Sequence, residues 1–165
     1  MPSKPRTSSK KVLAPASASR WARAFQKKGK RVVFTNGCFD LLHSGHVTYL
    51  EQARRLGDAL VVALNGDASV RRLKGKGRPL VTLKDRARVM AALECVDAVT
   101  WFHETTPVKL VARLKPKIYV KGGDWDVRKI PEYEVVAGYG GKALALNFVR
   151  GRSTTRLIQK ARKGR

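Results

Sequence analysis

The apolar positions along the chain come in short, nearly continuous runs separated by stretches of helical period. "RVVFT" (31–35), "ALVVALN" (59–65), "AVTWF" (98–102), "KIYVKGG" (117–123) and "KALALNF" (142–148) are rich in Val, Leu, Ile and Ala, and they predict buried strands. Between them, "HVTYLEQARRLG" (46–57) places Val47, Leu50, Ala53 and Leu56 at helical spacing and stops at Gly57. Further helices are predicted over 68–73, 82–94 (Thr82 as N-cap, Asp85 three residues on), 106–115 (Pro107 at its first position), 131–140 and 153–162. Ser17 or Ser19 is predicted to cap a helix running to about Lys28, with Trp21 and Phe25 on one face.

Strands alternating with helices predict an α/β fold. The expected form is a single-domain, doubly wound (Rossmann-like) parallel sheet of about five strands with helices on both faces. Such a sheet binds ligands beyond the carboxyl ends of its strands. The segments that follow strands therefore draw attention: Thr35–His46, Asn65–Asp67, Lys121–Asp124 and Phe148–Thr155. The 165 residues fit one core. Residues 1–16, with three prolines and few apolar positions, read as a disordered basic arm. The domain is then expected over 17–162, with a basic tail at 163–165.

Charge sharpens the partner question. The formal net charge is +23, with ten Lys/Arg and no acid in residues 1–31, and seven Lys/Arg and no acid in 150–165. All 12 acidic residues lie between. A basic nucleic-acid-binding protein is one reading of this excess. Against it, the charge concentrates in the tails and no aromatic-rich single-strand platform accompanies it, so nucleic acid is not the expected partner. No apolar run reaches the roughly 18 residues of a membrane span, and membrane is not expected as a partner either. Cys38 and Cys95 form no CxxC pair, so neither a zinc site nor a disulfide framework is expected, and a reducing, cytoplasmic location fits. A homo-oligomer stays open.

The densest chemistry is "FTNGCFDLLHSGHVTYL" (34–50). A strand delivers Thr35, Asn36 and Gly37 to the top of the sheet, and the next helix begins near Gly45. The free N–H groups of that helix favour phosphate. His43 and His46 sit there as N–H donors, with Gly45 between them leaving room for a phosphate. Metal ligation is weaker, because no third ligand or HExxH glutamate is near. A capping role for the two histidines is the bland alternative. In "STTR" (153–156), Ser153 and Thr154 can cap a helix and offer hydroxyls to phosphates. Lys121 can hold a phosphate as a point charge, and Asp124 can accept sugar hydroxyls. Asn65 and Asp67 face either a substrate or a turn. Asp40 reads as a loop organiser rather than a base, and His103 as a loop residue. Of Trp21, Trp101 and Trp125, only Trp125 lies next to these segments.

"NGCFDLLHSGH" resembles the signature of the cytidylyltransferase-like nucleotidyltransferases. Class I aminoacyl-tRNA synthetases share HxGH, but the chain is too short for one and lacks a KMSKS-like segment. With "ALNGDASVRRLKGKGRPL", "VKGGDW" and "LNFVRGRSTT", the resemblance narrows to bacterial heptose 1-phosphate adenylyltransferases, over roughly residues 30–160. In many bacteria that domain is fused to a sugar kinase; here it is expected to stand alone. The resemblance implies AMP transfer from ATP to a sugar 1-phosphate, D-glycero-β-D-manno-heptose 1-phosphate, with Mg2+ held mainly by substrate phosphates rather than by a protein metal site. It implies His43, His46 and Lys74 as catalytic groups. It adds Cys38, Phe39 and Thr155 to Thr35, Asn36, Gly37, Gly45, Ser153 and Thr154 on the nucleotide side. Asn65, Asp67, Arg78, Lys121, Gly122, Gly123 and Asp124 fall on the sugar-phosphate side. Two departures stand out: Arg152 replaces an apolar residue of the last motif, and Ile158 occupies its arginine position. A cytidylyltransferase, or a GTP-using variant, on another small phosphate such as glycerol 3-phosphate carries the same phosphate motifs.

Overall fold

The computed structural model describes residues 7–123, 125–147 and 153–164. Five strands form one parallel sheet: β1 (Val32–Gly37), β2 (Ala59–Asn65), β3 (Ala98–Phe102), β4 (Ile118–Gly122) and β5 (Lys142–Leu146), in the order β3-β2-β1-β4-β5. The helices are α1 (Pro15–Lys27), α2 (Ser44–Arg55), α3 (Asp67–Lys74), α4 (Leu83–Ala92), α5 (Val108–Leu114), α6 (Tyr133–Gly138) and α7 (Thr154–Arg162).

The unbroken apolar strands follow from burial on two faces. Every residue of β2 is buried. Leu60, Val62 and Leu64 join Val33 and Val120 against Tyr49, Leu50 and Ala53 of α2 and Ala87, Met90 and Ala91 of α4. Val61 and Ala63 join Val32, Phe34 and Tyr119 against Ala22 of α1, Leu110, Val111 and Leu114 of α5, and Val136 of α6. Alternate residues thus serve different helix layers, as a pleated strand requires.

The element bounds match the expectation closely, with local corrections. α2 starts two residues earlier, at Ser44 with His43 as N-cap. Pro107 is the N-cap of α5 rather than its first residue. Thr82 caps α4 as expected, accepting the Asp85 N–H at 3.3 Å. Neither Ser17 nor Ser19 caps α1. That helix opens at Pro15, whose fixed φ and missing N–H suit a first turn. Ser19 instead donates to the Pro15 carbonyl at 3.0 Å. Trp21 and Phe25 do share a face, with ring centroids 4.4 Å apart.

The larger correction concerns the arm. Residues 1–6 lie outside the described residues, but 7–16 are not disordered. Residues 8–11 form a 3-10 turn. Val12 then pairs in parallel with Val99, and Leu13 N–H donates to the Val99 carbonyl at 2.8 Å. Lys11 Nζ reaches the Leu93 carbonyl at 3.1 Å. β3 is an edge strand, and an unpaired edge attracts any segment able to bond it. Two apolar residues suffice for that, without any periodic pattern. Deleting residues 1–13 is therefore expected to lower unfolding free energy by about 2–4 kcal/mol. An unchanged denaturant midpoint would show the arm to be a bystander.

Candidate active site

The sheet order sets the place of the site. The chain steps outward from β1 through β2 to β3, then returns to the other side of β1 as β4. The reversal opens a crevice beyond the carboxyl ends of β1 and β4. Thr35 is level with Val120 there, so Asn36 and Lys121 end side by side.

Not all of the strand end faces a ligand. Thr35 is fully buried, and its hydroxyl shares a 2.6 Å hydrogen bond with Tyr49 Oη. It is a support beneath the crevice, a correction to its expected contact role. Asn36 is half-buried, and its Oδ1 accepts from Tyr119 Oη at 2.6 Å. Gly37 is needed for a reason the sequence did not give. A Cβ there would lie 2.8 Å from the Phe39 ring. Phe39 itself takes φ +43°, a left-handed conformation costly for a bulky residue. It is buried, and its ring meets that of His46 edge-on at 5.2 Å. Phe39 therefore sets the position of the second histidine.

The histidines stack on each other, with centroids 3.9 Å apart and planes 19° from parallel. Gly45 is buried between them in the first turn of α2. Burial, and after it the positive field of His43, holds His46 down at about 4. His46 is thus a neutral donor at ordinary pH. Its Nδ1 is buried and has no hydrogen-bond partner among the described residues. The pair sits at the amino end of α2, where N–H groups and the helix dipole favour an anion.

Two charged groups brace the loops around this pair. Asp40, as expected, organises its loop. It accepts from Leu80 N–H and Val81 N–H at 2.9 Å and from Arg78 Nε at 2.5 Å. Burial pushes its carboxyl up, but those two N–H bonds and then Arg78 outweigh that and hold it below the usual range. Arg78 is correspondingly held by Asp40 through its Nε. Arg86 is the second brace, and it was missed in the sequence. Its side chain is fully buried. Nε donates to the Val81 carbonyl (3.0 Å), Nη1 to Cys38 (2.6 Å), and Nη2 to Asn65 (2.8 Å) and to Asp67 Oδ1 (2.6 Å). Asn65 is buried too, its Nδ2 donating to Ser69 Oγ at 3.0 Å. Asn65 and Asp67 thus both bond within or across the β2–α3 turn, with the Asp67 side chain still a third exposed. Arg86 was legible in one respect: it shares a helix face with the buried Met90 four residues on.

The remaining described candidates lie on or beside α3, β4 and α7. Lys74 is exposed at the end of α3, and its charge is felt at Cys38. Burial mainly raises the Cys38 thiol, against the fields of Lys74, Arg86 and Arg78. Ser153 caps α7, accepting Arg156 N–H at 3.2 Å. Thr154 donates to the Leu41 carbonyl at 3.0 Å, which pins the amino end of α7 to the histidine loop. Thr155 is exposed beside them. Lys121 and Gly122 end β4, and Gly123 N–H bonds the Leu146 carbonyl at 2.8 Å. Asp124 and residues 148–152 lie outside the described residues. Trp125 is 55% exposed, with its indole N–H on the Gly122 carbonyl at 3.0 Å. His103 lies beside Gly66, where an added Cβ would meet its Nδ1 at 2.5 Å, so it packs a turn. Glu132 is a second group the sequence reading passed over. It is buried at the start of α6, and after burial its charge is the main force raising the Tyr119 hydroxyl.

Comparisons with known proteins agree with this geometry. The chain is 55% identical over 142 residues to the bifunctional protein HldE of Geotalea uraniireducens (strain Rf4), which covers 86% of this chain and 29% of that protein. It is 51% identical over 155 residues to the bifunctional protein HldE of Trichlorobacter lovleyi, covering 94% of this chain and 32% of the relative. The chain thus spans under a third of the length of the curated relatives it matches. Among solved structures, the lipopolysaccharide core biosynthesis protein from Thermoplasma volcanium GSS1 superposes with a TM-score of 0.61 at 29% identity, covering 75% of this chain and all of that one. The profile of the cytidylyltransferase-like family matches residues 34–159. That match starts in β1, ends in α7 and takes in all five strands with the crevice they build, and the chain belongs to the cytidylyltransferase-like family.

Proposed function

We propose that the chain is a nucleotidyltransferase that moves AMP from ATP to D-glycero-β-D-manno-heptose 1-phosphate, giving ADP-heptose and pyrophosphate. The observation that carries the reaction type is the stacked histidine pair at the amino end of α2, beside the β1 and β4 ends. The choice of sugar rests on "RLKGKGRPL" and "VKGGDW". It is supported by the relatives named HldE and the neighbour named for lipopolysaccharide core biosynthesis.

In this reading a phosphate oxygen of the sugar 1-phosphate attacks the α-phosphorus of ATP in line. A new P–O bond forms as the bond to the bridging oxygen breaks, and pyrophosphate leaves with that electron pair. No base is needed, because the nucleophile is already ionised; Asp40 spends its oxygens on Leu80, Val81 and Arg78. Catalysis is positioning plus stabilisation of charge on the phosphates. His43, His46 and the first N–H groups of α2 donate to the triphosphate. Ser153, Thr154 and Thr155 approach it from the start of α7, and the exposed Lys74 reaches it from the end of α3. Lys121 receives the phosphate of the sugar, with the backbone of Gly122 and Gly123 close by. Mg2+ would enter with ATP and would offset the charge of its phosphates; no step is assigned to it.

A nucleotide–sugar matrix assay tests the proposal. ATP with the heptose phosphate should release pyrophosphate fastest; release only from CTP with glycerol 3-phosphate would replace the substrates and keep the reaction. His46→Ala is expected to lower kcat by on the order of 10²–10³, with nucleotide affinity falling less. Full turnover in that variant would remove the clamp. Lys121→Ala should raise the KM for the sugar phosphate and spare that for ATP. Keeping His46 neutral also ties folding to pH. Its folded value, about 4, lies below the ordinary 6.5, so the unfolded chain binds more protons between them. Stability should therefore fall as pH drops from 6.5 towards 4, and His46→Gln should flatten that slope in thermal melts.

A further inference from the structure

The carboxyl ends of the strands carry the proposed chemistry; the opposite end carries charge that the reaction does not use. Lys28, Lys30 and Arg31 precede β1, Lys115 and Lys117 precede β4, and Lys142 opens β5. All six are exposed. The strand register makes them one surface. Val33 is level with Ile118, and Ile118 with Lys142. Arg31, Lys117 and Lys142 thus lie within two residues in depth, roughly 7 Å, across three strands spanning about 10 Å. The carboxyl end of α1 is fixed to that of α5: Gln26 Nε2 donates to the Leu114 and Lys115 carbonyls at 3.2 and 2.8 Å, and Arg23 Nη2 to Arg113 at 3.0 Å. Lys28 and Lys115 therefore belong to the same patch.

Local duties do not account for it. A cation at a helix carboxyl end complements the dipole; Lys28 and Lys115, the C-caps of α1 and α5, have that duty, but Lys30, Arg31, Lys117 and Lys142 lie off the helices. Asp58 is shared by Lys30 at 3.9 Å and Arg31 at 4.0 Å, an exposed and weak pairing. Lys117 also bonds the Gly140 carbonyl at 3.0 Å. Lys115 takes φ +50° as the C-cap of α5, so a cation stands where a helix end favours glycine.

The shape of the patch selects its partner. The exposed large apolar residues among those described are Leu73, Leu80, Val89, Trp125 and Leu157, none of them in these turns. Without an aromatic platform the patch does not suit single-stranded nucleic acid. It consists of short turns at one level, so no helix or ribbon projects into a duplex groove. A flat array of flexible cations fits a flat array of anions. We infer that the strand-start face docks peripherally on an anionic lipid surface, leaving the crevice turned to water. This goes beyond the proposed reaction and does not rest on it.

Vesicle co-sedimentation of the full chain tests it, with phosphatidylcholine alone and with about 30% phosphatidylglycerol. Each cation near such a surface contributes roughly fivefold in partitioning. The triple variant Lys28→Gln/Lys115→Gln/Lys142→Gln should thus bind anionic vesicles on the order of 100-fold more weakly, with its melting curve and pyrophosphate release in vesicle-free buffer unchanged. Wild-type binding should be absent on neutral vesicles and lost at high salt. Equal partitioning of variant and wild type would assign any binding to the tails and overturn the inference. So would RNA binding that outcompetes vesicles and is lost in the same variant, which would make the face a nucleic-acid surface.

Discussion

The buried guanidinium of Arg86 is the interaction on which the crevice depends. It lies at the carboxyl ends of β1 and β2 and bonds three backbone carbonyls and one carboxylate, drawn from three separate connections: Cys38 after β1, Asn65 and Asp67 at the β2–α3 junction, and Val81 before α4. Only a planar, permanently charged fork reaches four acceptors in this way; a lysine ammonium cannot reproduce it. Burying such a charge is tolerable because the bonds replace its water, and removing one partner from a buried ion pair costs about 3–5 kcal/mol. The bond to Cys38 matters most for the site. It fixes the carbonyl just before Phe39, whose left-handed backbone turns its ring onto Gly37 and His46. A chain of contacts thus runs from the buried cation to the His46 imidazole at the amino end of α2.

Asp40 works beside it in the opposite sense. One carboxylate gathers two N–H groups and Arg78 from the 78–81 segment. The histidine loop and the basic loop are thereby held together, although about forty residues separate them in sequence. The arrangement leaves Lys74 exposed at the end of α3 while the loop's far end is anchored.

The strands, the helices and the histidine motif were legible because their signals are local. β2 and β3 run over 59–65 and 98–102 as their apolar runs predicted. What the sequence could not reveal is which side chains at a strand end have lone pairs or N–H groups left for a ligand. Thr35, Asn65, Asp67 and Arg78 all follow or flank the right strands, yet Tyr49, Ser69, Arg86 and Asp40 each engage one of their polar atoms. Spacing reports proximity to the crevice; only tertiary hydrogen bonding separates lining from support. The arm failed for a related reason. Val12 and Leu13 gain their order from an edge strand some 86 residues away in the chain, and composition carries no trace of that partner.

The parallel sheet also explains why the two ends of the molecule treat charge differently. α2 follows the carboxyl end of β1, and Thr154 ties the amino end of α7 to Leu41, so the amino ends of both helices lie at the crevice end of the sheet. A fixed cation there would oppose the positive end of a helix dipole, by about 0.3–1 kcal/mol at an exposed site. A neutral imidazole at His46 avoids that opposition and keeps an N–H to donate. Burial is the main cause of its depressed basicity, and the result suits its place. At the strand-start end the helices present their negative poles, and cations gather there without cost to the fold. One fold-level asymmetry thus permits neutral donors where anions are to be handled chemically and bare charge where they need only be met.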